Sequence, residues 1–123
     1  MFCQLDQVKD ILDIAEAVRE SLLKENPENQ NLQGCGKQAS TAMFAFLIVK
    51  EYDVFLQEGV LHCGGETYPY HWVELYLDGE AFVLDVTLAQ FSQVPKHQVP
   101  EVLLLPGDEA AEEYGYGESR EIP

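Results

Sequence analysis

Basic residues are scarce in this chain: 7 Lys and Arg stand against 22 Asp and Glu, a formal net charge of -15 at pH 7. Phosphate binding depends on clustered cations, so the composition argues against DNA or RNA as a direct ligand and toward a partner with a basic protein surface. Cysteine is also sparse. Cys3, Cys35 and Cys63 form an odd set, which fits free thiols in a reducing compartment better than a disulfide framework. The stretch "MFCQLDQVKDILDIAEAV" has acids throughout and no unbroken apolar run behind a basic start. It is read as neither secretory signal nor membrane span, and the expected location is cytoplasmic. No internal repeat and no second domain are visible, and 123 residues suffice for one core and not for two.

Apolar residues make up 46% of the chain, enough to fold without disulfides or a metal. Leu5, Val8, Ile11, Leu12, Ala15, Val18 and Leu22 recur at three- and four-residue steps among charged residues, which predicts an amphipathic helix over about residues 4–25. "ENPENQNLQG" breaks that pattern, and a second helix, apolar nearly all round and central, is expected from about Gly36 to Glu51. The period then shortens. "VFLQEGVLHC", "YHWVELYL" and "EAFVLDVT" read as strands of a β-meander, the last two divided by Asp78-Gly79, and "PEVLLLP" reads as an edge strand. The expectation is therefore an α+β domain over residues 1–106, with N-terminal helices packed on an antiparallel meander. Residues 107–123 are acidic and poor in aliphatics, and read as a loosely held tail.

The chemistry-bearing residues lie in "GCGKQAST", ahead of the longest apolar run, and in "YHWVELYLDGEAFVLDVT". A thiol at a helix N-terminus meets unpaired N–H groups and the positive end of the helix dipole, both of which favour thiolate. Gly34 and Gly36 leave room for a substrate beside Cys35. A cysteine nucleophile needs a general base, and the base an orienting group; His71 and Asp85, on the two arms of the expected hairpin, supply both types. Their relation depends on the turn. A two-residue loop of Asp78 and Gly79 pairs Leu77 with Glu80 and puts His71 and Asp85 on opposite faces. A three-residue loop with a glycine bulge sets them directly across from each other. Trp72 reads as a core or pocket-wall aromatic. His62 and Cys63 could join Cys35 and His71 around a metal, but the spacing matches no common zinc pattern and strand neighbours point to opposite faces, so no metal site is predicted. His97, between prolines, is expected in an exposed loop.

Taken in order, Cys35 after "LQG", "HWVELYLDG" and "VLDVTLAQF" resemble the papain-like thiol enzymes, and especially their transglutaminase-like branch. There a cysteine opens a central helix, a histidine followed by an aromatic residue starts a strand, and an aspartate ends the next strand. The resemblance spans about residues 33–91. It implies a papain-like fold with Cys35 as nucleophile, His71 as general base and then acid, and Asp85 as the group holding the imidazole tautomer. Attack on an amide would pass through an acyl-enzyme, resolved by water as in a glutamine deamidase or peptidase, or by an amine as in a transglutaminase. No metal or organic cofactor is required. The Cys35 N–H would be the first oxyanion donor, with a side-chain amide of Gln33 or Gln30 as second; Gly36 and Trp72 would border the substrate. A protein or peptide presenting a single accessible side chain or chain end is the expected substrate. A small acidic protein-binding module, of inhibitor or immunity type and without catalysis, is the alternative from a different class.

Overall fold

The computed structural model describes residues 2–30, 32–91 and 100–122, with side chains from residue 6 onward. The Cys3 side chain and His97 lie outside the described residues. Helix α1 spans Phe2–Glu25 and α2 Gly36–Val49; strands β1, Asp53–Cys63, β2, Glu66–Leu77, and β3, Glu80–Asp85, follow, then a short 3-10 turn at Leu88–Gln90. The chain continues through β4, Leu103–Pro106, helix α3, Gly107–Tyr114, and β5, Tyr116–Glu121. The strands form one antiparallel sheet in the order β4-β3-β2-β1-β5, so the domain is α+β with "PEVLLLP" supplying an edge, as its flanking prolines predicted.

Helix α1 buries Ile11, Ala15, Val18 and Leu22, a stripe at three- and four-residue steps. It stops where Asn26 donates from both its backbone N–H and its side-chain amide to the Leu22 carbonyl, just before Pro27, whose ring disfavours helical geometry at the preceding residue. Helix α2 turns Ala39, Met43 and Leu47 inward against β1, β2 and β3. Glu51, at φ 67°, ends it in the left-handed conformation. Lys50 and Tyr52 both bond to Asp10 at 2.8 Å, tying the end of α2 to α1. A helix apolar nearly all round is expected to be central, yet one side of α2 is uncovered among the described residues. Phe46 is 61% and Val49 80% exposed.

Two cores flank the sheet. Val54, Val73, Leu75 and Leu84 face α1 and α2, while Leu61, Tyr70, Trp72, Val83, Leu103 and Tyr116 form a second, aromatic-rich cluster with Ala110 of α3. The loosely held tail expected over residues 107–123 is not what forms. Helix α3 buries Ala110, β5 pairs with β1, and Tyr116 is 4% exposed. The acidic composition misleads here because β5 is an edge strand with Glu118, Ser119, Arg120 and Glu121 exposed, held by backbone pairing, one aromatic residue and polar side-chain bonds to β1, none of which needs aliphatic sequence. Truncation after Pro106 should therefore abolish cooperative unfolding. Tyr116→Ala should cost about 3–5 kcal/mol, as large-to-small changes in a core do. Urea melts followed by circular dichroism check both, and an unchanged transition in the truncated chain would overturn the assignment.

Candidate functional site

The loop ahead of α2 is pinned by its own side chains. Asn29 accepts from the Gln33 N–H at 3.0 Å and donates to the Gln33 carbonyl at 2.8 Å, while Leu32 and Gly34 take positive φ angles of 56° and 79°. Gln90, from the 3-10 turn after β3, accepts from the Gly34 N–H at 2.9 Å and donates to the Thr87 carbonyl at 2.9 Å, so the loop is stapled to the end of the β2–β3 hairpin. This sets Cys35 at the N-cap of α2, where it is buried at 6% exposure. Its Sγ lies 3.9 Å from the Gln33 carbonyl and 3.9 Å from Asn29 Nδ2. The Cys35 N–H, the expected oxyanion donor, bonds to the Leu32 carbonyl at 3.1 Å. The Gln30 amide donates to the Pro27 carbonyl at 3.1 Å, and the Gln33 side chain is exposed. Neither glutamine is brought to the thiol as a paired donor.

The hairpin takes the two-residue turn. Leu77 pairs with Glu80, and Asp78 and Gly79 have φ angles of 52° and 81°, both left-handed, as a type I′ turn demands. Continued from the Val73–Leu84 pair, this register sets Trp72 opposite Asp85 and His71 opposite Val86. His71 and Asp85 therefore point to opposite faces, and the expected His71–Asp85 pairing is absent, because a one-residue slip in register exchanges the faces of a strand. His71 sits instead across from Glu58 of β1, with Nε2 3.7 Å from the Glu58 carboxylate and without a hydrogen-bond partner among the described residues. Glu58 also accepts from Arg120 at 2.9 and 3.2 Å; that bonding, first among several influences, holds its carboxyl below the usual range.

Asp85 has different company. One carboxylate oxygen accepts from the hydroxyls of Tyr70 at 2.6 Å and Tyr116 at 2.5 Å, and the other from the Thr87 N–H at 3.1 Å and hydroxyl at 3.3 Å. Tyr70 and Thr87 share a further bond of 2.8 Å between hydroxyls. The start of α2 closes on the same group: a Cβ added at Gly36 would stand 3.0 Å from Tyr70 Cε1 and 3.5 Å from Thr87 Oγ1. The space expected beside Gly36 for a substrate is thus filled by the Tyr70 ring. Trp72 is 3% exposed, edge-on to Tyr116 with ring centroids 5.0 Å apart, and so belongs to the core and not to an open pocket wall.

No protein-family model, curated protein or solved structure matches the chain. Burial pushes the Asp85 carboxyl up, and the bonds from Tyr116, Tyr70 and Thr87 pull it back down. Burial, and then the Asp85 charge, raise the Tyr70 and Tyr116 hydroxyls well above the ordinary tyrosine value, so both stay protonated donors. The group between the N-terminus of α2 and Asp85 is therefore a phenol that gives its proton to the carboxylate in a hydrogen bond. It is not a base that could take one from a thiol. Among the described residues no cluster of three or more His, Cys, Asp or Glu could hold a metal ion. Tyr70, Tyr116, Thr87 and Gln90 were not singled out as site residues from the sequence. "DVT" carries a signal for Thr87, since Asp side chains commonly bond the backbone two residues on; Tyr116 and Gln90 arrive over long separations that leave no local mark.

The raised Asp85 carboxyl fixes a sign for pH dependence. The folded state holds this proton more tightly than the unfolded chain, so the contribution is complete below the ordinary value of 3.8 and fades as pH rises through the higher folded value. Asp85→Asn should destabilise by about 1–3 kcal/mol at acid pH, since its NH2 group points two donors at the surrounding hydroxyl and N–H donors where the protonated acid has one O–H. The gap between wild type and variant should narrow as pH is raised from about 4 toward neutrality. Denaturant titrations at several pH values measure it, and a gap that widens with pH contradicts the sign.

Proposed function

We propose that this chain is a small acidic protein-binding module whose targets present basic surfaces, and that its thiol at Cys35 is structural. The observation that carries the reading is the partner of Asp85: it is Tyr70, whose ring stands against Gly36 and whose hydroxyl is committed to the carboxylate, and not the imidazole that acyl transfer by Cys35 requires as a base. His71, the imidazole that the sequence offers for that role, lies on the sheet face of Val73 and Leu75, where its Nε2 stands 3.7 Å from Glu58 and Asp85 is out of its reach on the opposite face. The excess of 22 acidic over 7 basic residues supplies the attraction and steering that such a module needs. A papain-like, transglutaminase-like architecture is part of the proposal. It rests on the order of a cysteine at the start of α2, then β2, then Asp85 at the end of β3, with tyrosine in the place of the catalytic histidine.

Acyl transfer is the competing reading, favoured by the position of Cys35 at the N-cap of a 14-residue helix. Alkylation by iodoacetamide separates the two. In the folded protein Cys35 should label no faster than the buried Cys63 between about pH 6 and 8, and His71→Ala should leave the rate unchanged. Tyr70→His, which puts an imidazole beside Asp85, should raise Cys35 labelling on the order of tenfold, the gain in thiolate when a thiol pKa falls by one unit. Rapid labelling of the wild type that slows in His71→Ala would displace the binding reading in favour of the enzyme.

A further inference from the structure

We propose that the groove between α1 and α2 receives one amphipathic helix of a partner protein, apolar on its inserted face and carrying Lys or Arg along its borders. This rests on the protein-binding reading above and names the surface and the shape of the target. Helix α2 meets the sheet with Ala39, Met43 and Leu47, which leaves the adjoining flank, that of Gln38, Ala42 and Phe46, without a covering element among the described residues. Phe46 is 61% exposed there, and Val49, three residues along the same helical face, is 80% exposed. Between this side and α1 runs a groove of about 500 Å³. Ile14 and Ala17 of α1 and Ala42 and Phe46 of α2 give it an apolar floor; Asp13 and Glu25 of α1 border it, and no Lys or Arg is among the described residues that line it.

Two helices form the walls of the groove. From Asp13 to Glu25 is about 18 Å at 1.5 Å per residue, the span of three to four helical turns. A third helix fits such a channel by setting its own ridge of side chains, spaced three and four residues apart, between the other two. The charge selects the occupant. A second copy would bring another net charge of -15 and a second Asp13 and Glu25, a like-charge contact that opposes self-association. A bilayer with anionic lipids is repelled for the same reason, since amphipathic surfaces that lie on membranes carry Lys and Arg beside their apolar stripe. A helix with basic borders satisfies both the floor and the rim.

Two synthetic peptides of about 15 residues and identical Leu/Lys composition test this, one with all leucines on one helical face and one with the order scrambled. Binding to the intact protein is followed by fluorescence anisotropy at about 0.05 and 0.3 M salt. The amphipathic peptide should bind at least about tenfold more tightly than its scrambled isomer, and more weakly at the higher salt. Phe46→Ser and Ala17→Glu should each cost about tenfold, while Ile48→Ser, on the other flank of α2, should not. Both groove positions are exposed, and circular dichroism verifies that the variants fold. Equal affinity for the two peptides, or binding that the groove variants leave unchanged, would remove the groove while leaving a charge-driven binding module elsewhere on the surface. A concentration-dependent dimer abolished by Phe46→Ser would assign the groove to a second copy and overturn the proposal. If histones, as a basic protein probe, also fail to bind at low salt, the underlying binding reading falls with it.

Discussion

A carboxylate removed from water is tolerated only where hydrogen bonds replace its hydration, and that requirement at Asp85 organises the molecule. Its partners come from three places: Tyr70 on β2, Tyr116 at the start of β5, and Thr87 just beyond β3. Segments far apart in sequence must meet at one point for the group to be satisfied. The Tyr70 ring, held by its hydroxyl, then stands against Phe91 at 5.2 Å and against the backbone of Gly36. The place where α2 begins, and with it the position of Cys35, depends on how that tyrosine is held.

The two sides of the sheet solve different problems. On the side of Trp72 and Tyr116 a closed polar network sits among aromatic rings, every carboxylate oxygen has donors, and α3 covers the cluster. Against the other face lies α2, with α1 packed on it, in one aliphatic cluster with the sheet. Among the described residues the uncovered apolar surface is the flank of α2 beside α1, where Phe46 and Val49 stand exposed. Rigidity and availability are thereby separated: the buried network fixes the sheet, and the outermost layer offers apolar area beside acidic charge.

Much of the architecture was legible in the sequence, because both long helices and the meander announce themselves by period. Helix α1 was readable from Val8 to Leu22, and the strand boundaries from β-branched and aromatic runs. The site was less legible for a reason intrinsic to strands. With a side-chain period of two, a single residue in the Asp78-Gly79 turn decides whether Asp85 shares a face with His71 or with Tyr70 and Trp72. The Asp-Gly dipeptide itself favours the short I′ turn that forms, whereas the order of Cys35, His71 and Asp85 suggested the longer one. Residues 107–122 were misread because a sheet edge needs little apolar sequence: backbone pairing to β1 and one tyrosine replace the periodic signal that a tail lacks.

The strand order has a temporal side. β1 is flanked by β2, which follows it directly, and by β5, which closes on it with Ser119 donating to Gln57 across 62 residues of sequence. During synthesis the first helices and the β1–β2–β3 hairpins can assemble as they emerge, but β1 keeps a bare edge and Asp85 lacks its Tyr116 donor until the last strand is made. Loop closure over such a distance is slow compared with hairpin formation. The nascent chain therefore passes through a stage in which the sheet is open on one side, a stage at which chaperone capture competes with completion of the domain.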